Sequence, residues 1–187
     1  YAFNVADISI FIGAVGLIAS PDQFISGTPK EGDAAILIGE TSGHLGQSAL
    51  LAETMGAEEG DAPPVDLDAE VAHGTVVRNK AKTIRAASDL SDGGLALAAF
   101  EMAEAAGVGI TLSIADIPTL FGEDQARYLL AVAPDQRDAL IADAKAAGVS
   151  VTQVGTFTGA SVTFGDNEAE LGELATLYRS AFALAVT

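Results

Sequence analysis

The apolar residues of this chain fall into two rhythms. Residues 10–18 and 34–38 are short, nearly continuous apolar runs bounded by Gly, Pro and acidic residues, the pattern of strands buried on both faces. Residues 27–33, Gly-Thr-Pro-Lys-Glu-Gly-Asp, are turn chemistry between them. Residues 47–55 instead place Leu50, Leu51, Thr54 and Met55 at helical spacing and stop at Gly56, before an acidic, proline-bearing loop at 57–64. Asp66 opens a second helical stretch predicted to reach about Ala87. Val71, Val76, Val77, Ala81 and Ile84 share one face there if Gly74 is tolerated or marks a joint. Leu95, Ala98, Ala99, Met102 and Ala106 predict a helix of small apolar residues suited to close packing on a sheet.

The second half keeps both rhythms. Residues 109–114, 127–133 and 149–158 predict strands, and 140–147 a helix. Residues 161–164, after Gly159, have the look of a hairpin return strand. Leu171, Leu174, Leu177, Tyr178 and Phe182 form a stripe on a closing helix, read as core. Helix-connected strands mixed with a hairpin predict an α+β (α/β-like) fold, with a twisted mixed β-sheet and packed helices rather than a wholly parallel doubly wound sheet. With 187 residues, 49% of them hydrophobic, the chain has material for one core and is expected to form a single domain, 1–187. It starts at Tyr1 directly in apolar sequence, so it is read as a fragment of a longer polypeptide, with 1–11 as the junction to a preceding domain.

Charge narrows the possibilities. Nine Lys and Arg against 26 Asp and Glu give a net charge of −17, which argues against nucleic acid as a partner, since phosphate contacts need clustered cations. The absence of cysteine excludes disulfides and thiolate metal sites and fits a cytoplasmic location. Two histidines, His44 and His73, are too few for a histidine-based zinc site without carboxylate help. No apolar stretch reaches the roughly 20 residues that span a bilayer, so no membrane partner is expected.

Four segments hold candidate chemistry. In Asp89-Leu90-Ser91-Asp92-Gly93-Gly94-Leu95, Ser91 or Asp92 can accept from the first free N–H groups of a helix, and Gly93 and Gly94 let an anion approach the positive end of its dipole. An ordinary capped helix after a tight turn has the same composition. Asp92 is a candidate for Mg²⁺, although no further oxygen ligands lie close in sequence. Residues 39–48 leave a strand, turn through glycines and enter a helix at Gly46, Gln47 and Ser48, without a Walker or dinucleotide spacing. A glycine turn capped by Ser48, with Glu40 and His44 solvated, is the plain alternative. In 120–128, Glu123 and Gln125 can hydrogen-bond a ligand and Arg127 can pair with an acidic neighbour; a solvated strand entrance is the alternative. Residues 155–159 read only as strand and turn. No Ser-His-Asp or Cys-His set is discernible.

Five motifs in order carry a family resemblance: Gly-Asp-Ala-Ala-Ile-Leu-Ile-Gly-Glu-Thr at 32–41, Gly-His-Leu-Gly-Gln-Ser at 43–48, Pro-Pro-Val-Asp-Leu at 63–67, Asp-Leu-Ser-Asp-Gly-Gly-Leu-Ala at 89–96 and Phe-Gly-Glu-Asp-Gln-Ala-Arg-Tyr-Leu at 121–129. From about Ile12 to the closing helix the chain resembles the final domain of the phosphoribosylformylglycinamidine synthases, large synthetase subunits of purine biosynthesis. Aminoimidazole ribonucleotide, selenophosphate and hydrogenase-maturation synthetases share that architecture.

The resemblance implies an ATP-dependent carbon–nitrogen ligase that turns the amide of formylglycinamide ribonucleotide into an amidine. ATP phosphorylates the amide oxygen, and ammonia from a glutaminase subunit displaces phosphate. It implies ATP and Mg²⁺ for the full enzyme, the remaining synthetase domains, the glutaminase and a small accessory subunit as partners, and no catalytic residue in this domain, which alone should be inactive. Gly46, Gln47, Ser48, Ser91, Asp92, Gly93, Gly94, Glu123 and Gln125 are carried over as candidate ligand- or phosphate-facing residues. Three departures bear on this. Ser88 stands where histidine is frequent, residues 2–11 lack the expected Asn-Glu-Thr and Pro-Thr-Pro, and Asp124 replaces a serine. Asp124 is expected to bring charge towards an anionic ligand and favours a degenerate site. A related aminoimidazole ribonucleotide or selenophosphate synthetase domain, or a non-catalytic structural or docking module, are the alternative readings.

Overall fold

Seven strands and six helices make up most of the described residues. The computed structural model describes residues 27–185 together with Val15, Leu17, Ile18, Ser20, Phe24 and Ile25. The strands are β1 (Ala34–Ile38), β2 (Ile84–Asp89), β3 (Ile110–Leu112), β4 (Tyr128–Val132), β5 (Val151–Phe157), β6 (Ser161–Phe164) and β7 (Asn167–Glu170). The helices are α1 (Ala49–Met55), α2 (Leu67–Asn79), α3 (Gly94–Ala106), α4 (Ile117–Phe121), α5 (Pro134–Ala146) and α6 (Leu171–Ala185). The sheet order is β2-β4-β1-β5-β3-β6-β7, with every neighbouring pair antiparallel except the parallel β3 and β6. The mixed sheet expected from the sequence is therefore the one observed.

Its centre explains the continuous apolar runs. Alternate residues of a strand point to opposite faces. Ala35 and Leu37 of β1 join Leu129 and Ala131 of β4 in a core beneath α3, α4 and the start of α6. Ala34, Ile36 and Ile38 join Leu130 and Val132 on the other face, against Val76 of α2 and Leu140 and Ala144 of α5. All five residues of β1 are buried because both faces are covered, although the pairing is antiparallel. The far half of the sheet is different: Thr111, Ser113, Gln153, Gly155, Thr156 and Thr158 line an open concavity of ≈ 630 Å³ on its outer side.

The structure corrects several elements. The second helix does not run to Ala87 but ends at Asn79, passing unbroken through Gly74, and residues 84–89 form β2 along the free side of β4. Ala81 and Ile84 thus leave the predicted helical face, and Val71 is exposed. β6 is not the return strand of β5. It pairs with β3 in parallel and makes its hairpin with β7, which the sequence reading lacked. Helix α5 begins earlier than predicted, at Pro134, a residue preorganised for the first helical position. α4 is a further helix the sequence pattern does not predict, although Asp116 caps it by accepting from Thr119 N–H at 2.9 Å; hydrogen bonding from the Thr119 side chain and then from its main chain holds the Asp116 carboxyl below its usual value. In the closing stripe Leu171 is buried and Leu174 partly so, but Leu177 and Tyr178 are exposed; Tyr178 stacks edge-on against Phe100. Of the strand expected at 10–18, Val15, Leu17 and Ile18 are exposed and unpaired, and the rest lies outside the described residues, as does the side chain of Phe182.

Candidate functional site

Three of the four singled-out segments meet at one end of the sheet. The loop leaving β1 (residues 39–48), the turn entering α3 (residues 90–94) and the segment feeding β4 (residues 121–127) converge there, and the last holds the other two. Glu123 Oε1 accepts from Ala49 N–H at 2.8 Å, the first amide of α1, and from Gly93 N–H at 2.9 Å, the N-cap of α3. Glu123 N–H in turn donates to His44 C=O at 2.8 Å. The adjoining Asp124 carboxylate accepts from Gly43 N–H at 3.0 Å and His44 N–H at 3.3 Å.

Arg127 anchors this arrangement from below. It is 1% exposed and donates to the main-chain carbonyls of Gly122 and Asp124 and to Thr41 Oγ1 at 3.2 Å, with the Asp124 carboxylate 3.9 Å away. Burial pulls its pKa below the ordinary arginine value and the Asp124 charge opposes that shift. The pairing with an acidic neighbour was foreseen. Asp124, expected to bring charge towards an anionic ligand, is 8% exposed; its oxygens cap amides of this chain, and the residue also borders the open cleft beside them.

Backbone contact dictates the glycines at this junction. A Cβ on Gly94, whose φ is +59°, would lie 2.4 Å from Gly122 C=O, and one on Gly122 would lie 2.4 Å from Pro118 C=O. No side chain caps α3, so Ser91 and Asp92 do not play the capping part their position suggested; Gly94 N–H turns back to Ser91 C=O. Ser48 does cap α1, accepting from Leu51 N–H, and is buried. Gly46 packs on the carbonyl of Asp61, and Gln47 donates to Gly60 C=O at 2.9 Å. His44 Nε2 lies 2.8 Å from Asp61 C=O, so that nitrogen carries the proton. Ser91, Asp92, Gln47 and Gln125 remain exposed.

Beside this closed junction lies an open cleft of ≈ 500 Å³ between the β1 exit and the first turns of α2. Glu40, Ser42, Asp66, Asp68, His73 and Gln125 give it an acidic, polar wall. Asp66 is also the N-cap of α2, accepting from Asp68 and Ala69 N–H at 3.0 Å. His73 Nδ1 donates to Ala126 C=O at 2.7 Å, which fixes the ring beside the cleft. Ala126 holds the left-handed φ of +59°, a conformation costing an L residue roughly 1–2 kcal/mol. That bend turns Gln125 outward and Arg127 inward. A smaller recess of ≈ 180 Å³, with Glu70, Asp89, Ser91 and Tyr128, adjoins Gln125 on its other side. Burial, then the charges of Glu70 and Asp89, push the Tyr128 phenol above its usual pKa.

Of the candidate ligand-facing residues, Gln125 borders both cavities and Ser91 the smaller one, while Glu40, His73 and Asp124 also line the larger. Asp66, Asp68 and His73, which form another wall of the cleft, are not among the candidate ligand residues of the sequence, although Asp66 belongs to the motif at 63–67; the Asp66 cap followed by acidic first-turn residues is their visible signal. Among the described residues no group of three or more His, Asp or Glu is placed to hold a metal ion, so these residues do not by themselves make a Mg²⁺ cage around Asp92.

Residues 30–166 match the family model described as AIR synthase related protein, C-terminal domain. Over 175 residues the chain is 63% identical to phosphoribosylformylglycinamidine synthase subunit PurL of Cereibacter sphaeroides, covering 94% of this chain and 24% of that protein. The protein of the same name from Roseobacter denitrificans is 56% identical over the same shares. The chain therefore spans about a quarter of the length of these curated relatives. Among solved structures, Thermotoga maritima PurL complexed with FGAR superposes with a TM-score of 0.70 at 16% identity, covering 83% of this chain and 30% of that one. Thiamine-monophosphate kinase from Stenotrophomonas maltophilia gives 0.52 at 21% identity, covering 76% and 53%. At such identities these two show the fold.

Proposed function

The chain belongs to the AIR synthase-related family, whose C-terminal domain it contains, and from that premise we propose that it is the C-terminal domain of a phosphoribosylformylglycinamidine synthase synthetase subunit. The observation that carries this is the 63% identity to a PurL over 94% of the chain. The activity proposed for the whole protein is ATP-dependent conversion of formylglycinamide ribonucleotide to its amidine in purine biosynthesis. T. maritima PurL has been solved with FGAR and with ATP, and a PurLQS assembly is known from the same organism. A glutaminase and a small accessory subunit are accordingly the proposed partners. No helix among the described residues is long and apolar enough to cross a membrane.

In that reaction phosphate is transferred to the amide oxygen and then leaves as ammonia attacks carbon, which demands positioned donors and exclusion of water. This domain's share is placement. Of the nine residues the resemblance carries over, Gln47, Ser91, Asp92 and Gln125 are the exposed ones, and we assign the ligand-facing role to them. Gly46, Ser48, Gly93, Gly94 and Glu123 hold the loops that present them. No Mg²⁺ is assigned to this chain, and the isolated chain is expected to bind Mg·ATP weakly and turn nothing over.

A chimera tests this reading. When this chain replaces the matching 175 residues of C. sphaeroides PurL, the product should support ATP- and ammonia-dependent amidine formation and purine-independent growth. A folded, assembled chimera without that activity would overturn the assignment.

A further inference from the structure

The two glycine segments are built as if to receive an anion, and the structure shows what they hold. The first amide of α1 and the N-cap amide of α3 point at a single oxygen, Oε1 of Glu123, at 2.8 and 2.9 Å. Helix starts concentrate unpaired N–H groups and positive potential, which a carboxylate satisfies as well as a phosphate does. The contacts are not local: Glu123 lies 74 residues from Ala49 and 30 from Gly93. The space around it is lined by backbone in contact with backbone, since a Cβ on Gly94 would stand 2.4 Å from Gly122 C=O and one on Gly122 2.9 Å from Gly43 Cα. A carboxylate on its own side-chain stem reaches both amides with one oxygen, so an incoming anion has to displace it to reach them. The neighbouring carboxylate repeats the device, Asp124 taking the Gly43 and His44 amides.

We propose that Glu123 is a self-supplied anion, a latch that fills the position shared by the starts of α1 and α3, couples the two glycine loops to β4 and excludes phosphate from the junction. The latch rests on this chain's geometry and not on its assignment to a synthase, so it stands or falls separately. Its consequence is that the ligand side of the domain is the exposed rim of Ser91, Asp92, Gln47 and Gln125, while the glycines beneath are closed to it.

The test uses the 187-residue chain, labelled with ¹⁵N, and reads individual amides. Titration with inorganic phosphate at constant ionic strength should leave the Ala49 and Gly93 resonances unmoved; a saturable shift of both would overturn the proposal. In Glu123→Gln, which keeps an acceptor oxygen but loses the charge, hydrogen exchange at Ala49 and Gly93 should accelerate together by about tenfold or more, with Gly43 and His44 little changed. Unchanged exchange at both, or acceleration at one alone, would also overturn it. Should that variant unfold, Glu123→Asp retains the charge on a shorter stem and is expected to show the same paired acceleration in milder form.

Discussion

Two neighbouring regions share the segment 121–127 and use it in opposite ways. At the junction of the glycine loops its charged groups are taken up by the chain itself: Glu123 and Asp124 cap amides of distant segments, and Arg127 is buried among carbonyls. In the adjoining cleft, Gln125, Asp66, Asp68 and Glu40 face ≈ 500 Å³ of open space. The left-handed bend at Ala126 separates the two directions. The difference teaches that glycine-rich, carboxylate-bearing loops are weak evidence for a ligand until it is known what fills them, because amides freed at helix starts are satisfied equally by the protein's own acids.

The contrast can be broken most severely from the junction side. Arg127→Met should cost about 3–5 kcal/mol, since it leaves the Asp124 carboxylate and two buried carbonyls without their cation; denaturant midpoints would show it, and a loss below about 1 kcal/mol would mean the guanidinium is dispensable. Gly122→Ala forces a methyl towards Pro118 C=O at 2.4 Å and should destabilise by about 1–3 kcal/mol in the same assay. On the cleft side, Asp66→Ala removes the α2 cap and should cost about 1 kcal/mol, with the loss of helicity confined to the first turn by NMR. The smallest change is Gln125→Ala, an exposed substitution expected to stay within about 0.5 kcal/mol of the parent. In the chimeric synthetase the order should reverse, with Gln125→Ala lowering activity while leaving thermal stability unchanged. That reversal, if found, separates the side that holds the fold from the side that meets a ligand.

Much of the architecture was legible. β1 and β4 announced themselves as unbroken apolar runs, α1 by its spacing and the Gly56 stop, and α3 by its alanines. The misreadings share a cause. Residues 80–87 continue the helical pattern of α2 well enough locally, but β4 has a free side, and pairing Ala87 with Leu130 and Ser88 with Leu129 there outweighs helix propensity. Likewise β6 follows β5 closely enough to suggest a hairpin, yet its partners are β3 and β7. In the site, the converging segments were identified, but not that Glu123 and Asp124 were spoken for, since their donors lie 30 to 81 residues away.

By itself the sequence determined the mixed α+β character, the strands of the centre, the improbability of nucleic acid as a partner at a net charge of −17, and the family. These follow from periodicity, composition and short motifs, which are local properties of a chain. Only the tertiary structure decided which carboxylates face solvent and which serve as internal anions, where α2 yields to β2, and that the open cleft lies beside the glycine loops rather than within them. Each of these depends on which distant amide, carbonyl or strand edge is left unsatisfied until the chain closes upon it, and that is settled by packing.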